Sequence, residues 1–232
     1  MARATFFGVG VGPGDPKLMT IRAGEIIRDA HVLAYPVNGS GESRARSIAA
    51  PIIVGHAIEL PVHLPMQIDR EPGRSAYDDA AQAIKAHLDE GQDVAWLCVG
   101  DPMFYGSFMY MAGRLEGYGI EIVPGVTSLS ACAARTGTAL AGRNDILSVV
   151  PATLDEAELR SALERADCAV VIKVGRHFDK VRTVLRDLGL EDDSTILEAA
   201  SGPAERTASL VDIPDGEQSY FSTILVRRET IS

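Results

Sequence analysis

Positive charge is scarce in this chain: its 232 residues carry 22 Lys and Arg against 32 Asp and Glu, a formal net charge of −10. Nucleic-acid and anionic-membrane binders need a positive field to meet phosphate, so this balance argues against both classes of partner. Aromatic residues make up 6% with a single Trp, and there are only three cysteines. Cys98, Cys132 and Cys168 are odd in count and widely spaced, and two fall in apolar runs that read as strands, so no disulfide framework or oxidising compartment is expected. No stretch approaches the ~20 apolar residues that span a bilayer. The opening MARATFFGVG breaks into glycines where a signal peptide needs an apolar core. A cytoplasmic protein is the expectation. The histidines form no HExxH and the cysteines no CxxC, so spacing offers no zinc site and no metal is expected. His56 and His63 with Glu59 could in principle converge on one, although they flank a proline-bearing segment that reads as an edge strand or loop.

What the chain does have is apolar residues throughout, 46% of the total, with no polar low-complexity tract. Short apolar strands alternate with helical patterns, the mark of α/β architecture. Strands are predicted at Thr5 to Val11, His31 to Tyr35 (closed by Pro36), Asp93 to Val99, Ile120 to Val123, Ile146 to Val150, Cys168 to Val174, Thr195 to Ala199 and Tyr220 to Val226. Ile58 to Leu64, with its prolines, reads as an edge strand or loop. Helices are predicted at Thr20 to Asp29, Ser75 to Glu90, Gly106 to Glu116 and Thr127 to Thr136. Two more follow, one after a Thr153/Glu156 capping box and one lined by Phe178, Val181, Val184, Leu185 and Leu188. Gly117-Tyr118-Gly119 is the candidate junction, dividing the chain into α/β domains of residues 1–117 and 118–232.

Glycine turns mark the strand ends. Residues 8–16 read Gly-Val-Gly-Val-Gly-Pro-Gly-Asp-Pro. The dinucleotide fingerprint G-x-G-x-x-G fails here, because its last glycine falls on Pro13 or Asp15. The phosphate loop fails too, for want of a Gly-Lys pair. An acidic loop suits a cationic or proton-transferring role better than a phosphate; equally, Asp15 can cap the next helix with Pro16 at its first position. Gly100-Asp101-Pro102 and Pro124-Gly125-Val126-Thr127-Ser128 follow two further strands, and Val174-Gly175-Arg176 a third. In open α/β sheets the ligand crevice lies beyond the carboxyl ends of strands.

Together G-V-G-V-G-P-G-D-P, G-D-P-M-F-Y-G-S and V-P-G-V-T-S resemble the tetrapyrrole methylases, the class III methyltransferases that use S-adenosylmethionine. The segments Tyr105 to Tyr110, Pro151 to Leu154, Lys173 to Arg176 and Tyr220 to Val226 look like the branch that methylates precorrin-2 at C-20 in cobalamin biosynthesis. The resemblance implies two α/β domains with a cofactor cleft between them, and a homodimer. It implies cofactor contacts at Val99, Gly100, Asp101, Phe104, Thr127, Ser128, Val174, Ala200, Ser222 and Thr223. It also turns the glycine loop of residues 8–15 toward the tetrapyrrole, with Gly10, Gly12, Pro13 and Gly14 as contacts, and the missing side chains would leave room for the flat ring. An electron-rich ring carbon would attack the cofactor methyl, S-adenosylhomocysteine would leave, and a proton would be lost. Asp15 is the first candidate base and Tyr105 the second, as a hydrogen-bond donor.

Such a substrate carries acetate and propionate arms, so guanidinium forks should meet it. Arg44, Arg46 and Arg176 are the strongest candidates; Arg70, Arg74, Arg135 and Arg143 are others, and each can equally be an ordinary surface charge. The acidic clusters Asp187 to Asp193 and Asp212 to Glu217 read as solvated loops. Alternatives stay open: a cobalt-containing substrate, another ring position, a nucleotide-dependent oxidoreductase, or a non-catalytic tetrapyrrole carrier.

Overall fold

The computed structural model describes residues 4–64 and 70–228, with the side chains of residues 70–73 excepted. It divides into two compact units, residues 1–127 and 128–232.

The first unit is built on a five-stranded sheet in the order β3-β2-β4-β1-β5, every pairing parallel. Its strands are β1 (Thr5–Gly10), β2 (Val32–Val37), β3 (Ile58–His63), β4 (Val94–Cys98) and β5 (Gly119–Val123). Parallel central strands are apolar on both faces because helices cover both. Along β1, Val9 enters a core with Ala23, Ile27, Ala45 and Ile48, from α1 (Ile21–Asp29) and α2 (Arg44–Ala49). Phe6 enters the opposite core with Trp96, Ile84 and Phe108, from α3 (Arg70–Asp89) and α4 (Phe108–Ala112). Thr20 caps α1 by accepting the Ala23 N–H.

The second unit carries a mixed sheet, β6-β7-β10-β8-β9. β6 (Leu147–Pro151) and β7 (Cys168–Ile172) are parallel, whereas β10 (Ser222–Arg227) runs antiparallel between β7 and β8 (Ser194–Glu198). β9 (Arg206–Ser209) closes the edge. Leu159 and Leu163 of α6 (Glu156–Glu164) and Val181, Val184 and Leu185 of α7 (Phe178–Asp187) pack on Val171, Ile196 and Ile224. α5 (Ser128–Thr136) also contacts β10.

Four expectations change. The junction moves from Gly117 to the Thr127/Ser128 boundary, because β5 pairs with β1 and so belongs to the first sheet. Pro36 does not close β2: the pairing with β4 ends at Ala34, so no partner on that side needs the missing N–H. α4 spans Phe108–Ala112, with Gly113 at its C-cap, and is shorter than predicted. The cap of α6 is Asp155, which accepts the Glu158 N–H at 2.8 Å, in place of Thr153. Among the described residues no helix is long and apolar enough to cross a membrane.

Candidate functional site

In the first unit the glycine-bearing strand ends meet. The Gly100 N–H donates to the Gly12 carbonyl at 2.8 Å, and the Val11 N–H to the Cys98 carbonyl at 2.9 Å. A Cβ on Gly10 would lie 2.6 Å from both the Gly100 carbonyl oxygen and the Gly125 nitrogen. One on Gly125 would lie 2.1 Å from that same oxygen. The three loops are therefore packed backbone to backbone. A Cβ on Gly8 would enter the Phe108 ring at 2.6 Å, and that ring stacks on Phe6. The space left by Gly8 and Gly10 is filled by protein, so the room expected there for a macrocycle does not exist. Gly12 is required for another reason, a left-handed φ of 80°.

Asp101 holds this junction. One carboxylate oxygen accepts the Gly125 N–H at 3.0 Å and the other the Met103 N–H at 2.8 Å, tying the loop after β4 to the loop after β5. Gly100 is buried, with φ 70°, and Val99 and Phe104 are half-buried beside it. Tyr105 is exposed at φ 54°, edge-on to the Phe104 ring. Asp15 accepts the Lys17 N–H at 2.9 Å and caps a single 3-10 turn, Pro16–Leu18, so the capping role is realised on a turn shorter than the predicted helix. Pro13 and Gly14 are buried. Arg44 donates to the Pro13 carbonyl at 3.2 Å, and burial lowers its pKa.

Arg46 is engaged differently: its fork grips Glu59 at 2.9 and 2.8 Å, and Tyr35 donates to the same carboxylate at 2.6 Å. These bonds hold Glu59 at about 2 in place of the usual 4.5. The stability it contributes is present above the unfolded value and is lost as pH falls through the folded one. In acid unfolding, the margin of wild type over Glu59→Gln should shrink between about pH 4.5 and pH 2. Urea midpoints of the two proteins across that range measure it, and a constant margin would contradict the pairing. Among the described residues no metal-ligating cluster forms, so His56, Glu59 and His63 do not make one.

In the second unit the candidates gather at one end of the sheet, beyond the carboxyl ends of β7 and β8 and at the start of antiparallel β10. Val174 and Ala200 are buried there. Lys173, Ala199 and Ser201 have φ of 58°, 48° and 58° although none is glycine. Held strain of this kind collects at ligand sites. Ser222 lies opposite Glu198 in register, 3.4 Å from its carboxylate, while Thr223 points to the other face, toward Cys132 of α5. Arg176, in the turn after Gly175, is exposed, and among the described residues no carboxylate pairs with it. Arg135 is on Glu205 at 2.6 Å. Thr127 and Ser128 stand either side of the boundary between units. The Arg70 side chain lies outside the described residues. Burial pushes the thiols of Cys98 and Cys132 up to about 12 and about 11, so neither supplies a thiolate near neutrality.

A profile of the tetrapyrrole (corrin/porphyrin) methylases matches residues 5–212. The chain belongs to this family. The cobalamin biosynthesis protein CobIJ of Mycobacterium tuberculosis is 40% identical over 97% of the chain but 46% of its own length, so the chain spans about half of that relative. A precorrin-2 C(20)-methyltransferase of Sinorhizobium is 36% identical over 94% of the chain and 93% of its own length. A cobalt-precorrin-2 C(20)-methyltransferase of Salmonella typhimurium is 31% identical over 96% of both. The uroporphyrin-III C-methyltransferase of Thermus thermophilus, solved with S-adenosylhomocysteine, superposes with a TM-score of 0.71 at 24% identity, covering 97% of the chain and 92% of its own. The expected two-unit α/β fold is the fold of these methylases.

Sequence spacing missed Glu205 and the left-handed residues. Lys, Ala and Ser are not among the residue types enriched at positive φ, and Glu205 reads as one more surface acid.

Proposed function

We propose that this methylase transfers a methyl group from S-adenosylmethionine to C-20 of precorrin-2 in cobalamin biosynthesis. The observation that carries the substrate is the 36% identity, over almost the whole of both chains, to a protein named for that reaction. The donor set fits the cofactor. The strand ends offer small side chains, turned backbone and buried hydroxyls at Gly100, Ala200, Ser222 and Thr223. When bound, S-adenosylmethionine supplies an electrophilic methyl on a sulfonium. Val99, Gly100, Phe104 and the residues at Val174, Ala200 and Ser222–Thr223 would hold and orient it, with Asp101 keeping the first loop in place. Orientation matters most here, because aligning a ring carbon with the methyl removes the largest entropic part of the barrier. Gly12, Pro13, Gly14, Arg44 and Arg176 would meet the tetrapyrrole, Arg176 with an open fork and Arg44 from beneath the glycine loop. Arg46 would do so only by giving up Glu59. Asp15 and Tyr105 stay as the groups for proton loss. We assign the active form as a homodimer, as the resemblance implies, and place it in the cytoplasm on its cysteine usage.

The Salmonella relative supports a second reading, the cobalt-containing substrate. Calorimetric titration with S-adenosylhomocysteine is the first test, and binding in the micromolar range is expected. Absence of binding at millimolar ligand rejects the methyltransferase and leaves the tetrapyrrole carrier. Incubation with metal-free and cobalt-loaded precorrin-2, with the new methyl located by NMR, separates the two substrates and the ring positions.

A further inference from the structure

Ala199 and Ser201 flank the buried Ala200 at the end of β8, and both are left-handed, with φ of 48° and 58°. Contact between Cβ and backbone disfavours that region for every residue but glycine, so the turn needs support from outside itself. The support is Glu205. One carboxylate oxygen accepts the Ser201 N–H at 2.5 Å, and the other accepts Nε of Arg135 at 2.6 Å. The backbone closes the same loop, with Gly202 N–H on the Ala199 carbonyl at 2.8 Å and Glu205 N–H on the Gly202 carbonyl at 3.1 Å. Glu205 is sheltered, its side chain 15% exposed, whereas Arg135 is a largely exposed residue in the last turn of α5. A charged acceptor makes the stronger kind of backbone hydrogen bond, and a guanidinium on its second oxygen fixes where it points.

We propose that Glu205, aimed by Arg135, is a positioning residue for the cofactor: it holds the strained Ala199–Ser201 turn in the shape that presents Ala200 to S-adenosylmethionine. The inference rests on the cofactor reading proposed above. It mirrors the first unit, where the Asp101 carboxylate takes the Gly125 N–H of a loop with the same assignment. In both units a carboxylate is thus committed to a backbone N–H of a strand-end turn.

The test compares wild type with Glu205→Ala, Glu205→Gln and the double variant Glu205→Ala/Ser201→Gly. The readouts are S-adenosylhomocysteine affinity and amide exchange of the ligand-free protein across residues 199–205. Glu205→Ala should weaken affinity about tenfold and speed exchange in that segment. Glu205→Gln keeps an acceptor for the Ser201 N–H and should lose about threefold or less. Glycine at 201 adopts the left-handed turn unaided, so the double variant should regain most of the lost affinity. A purely structural role would lower the unfolding midpoint without moving affinity. Affinity of Glu205→Ala within about twofold of wild type overturns the proposal, and so does a loss that Ser201→Gly leaves unrepaired. A wild-type chain that takes no S-adenosylhomocysteine overturns the cofactor reading, and this role with it; unchanged exchange at 199–205 in Glu205→Ala overturns the clamp itself.

Discussion

Gly125→Ala should unfold this protein at substantially lower urea than any surface substitution, at a cost of about 3 kcal/mol or more. The added methyl would stand 2.1 Å from the Gly100 carbonyl oxygen, with Gly10 Cα at 2.9 Å. All of these atoms are backbone, so no side chain can rotate away. Relief would require the loop after β5 to withdraw from the loops after β1 and β4, breaking the Asp101 bond to the Gly125 N–H. Gly10→Ala meets the same wall at 2.6 Å and should fail similarly. The control is Gly24→Ala, inside α1, where the nearest atom is the mobile end of Arg28 at 3.8 Å. There alanine should be neutral or stabilise by up to about 1 kcal/mol through helix propensity. Equilibrium urea unfolding of the three variants, with S-adenosylhomocysteine titration of any that stay folded, measures both effects. A Gly125→Ala protein as stable as wild type would mean that the three loops do not touch as described.

That junction also marks how far spacing could be read. Glycines after β1, β4 and β5 signalled three strand-end turns, and strand ends converge in a parallel sheet because every strand points the same way. What spacing could not give was their purpose. Gly8 and Gly10 looked like room left for a ligand and are in fact room left for Phe108 and for neighbouring backbone. A missing side chain looks identical in sequence whether a ligand or the chain itself fills the gap. The strands were legible because their apolar runs are continuous, as in Val94–Cys98 and Cys168–Ile172. β9 was not, since Arg206–Ser209 is a short polar edge with no apolar alternation to find. The Gly117 junction misled for a related reason: Gly117 has φ 94°, as a tight turn needs, but a turn does not say which sheet the next strand joins.

Charged residues were the least legible. Arg44, Arg46 and Arg176 rank together in sequence as substrate candidates, with Arg135 behind them, yet the fold gives the four different situations: the Pro13 carbonyl, the Glu59 carboxylate, open surface and the Glu205 carboxylate. The difference lies in partners far away along the chain, which local pattern does not carry.

Arg182 carries that point to its largest energetic consequence. The acidic runs Asp187 to Asp193 and Asp212 to Glu217 read as solvated loops, but Glu191 and Asp215 close on this one cation. Arg182 is buried at 8% exposure, with Nε on Glu191 at 2.6 Å, Nη1 on Asp215 at 3.1 Å and on the Ile213 carbonyl, and Nη2 on the Val211 carbonyl at 3.2 Å. It thereby fastens residues 211–215, which lead through the Gln218 bond to the Gly175 carbonyl into β10 and its Ser222 and Thr223. Arg182→Met preserves apolar volume over Phe178 but leaves two carbonyls and a carboxylate without their donor. Glu191 keeps Arg186 and the Asp215 side chain is 78% exposed, so the cost falls mainly on the two unmet carbonyl acceptors, and a loss of about 2–3 kcal/mol is expected in urea unfolding. Arg186→Met removes the other cation on Glu191, but from a side chain 56% exposed, and should cost far less, because solvent already screens an exposed pair. Because the anchored stretch feeds β10, Arg182→Met should also weaken S-adenosylhomocysteine binding while Arg186→Met leaves it unchanged. Equal and small losses for the two variants would return the acidic clusters to ordinary solvated loops.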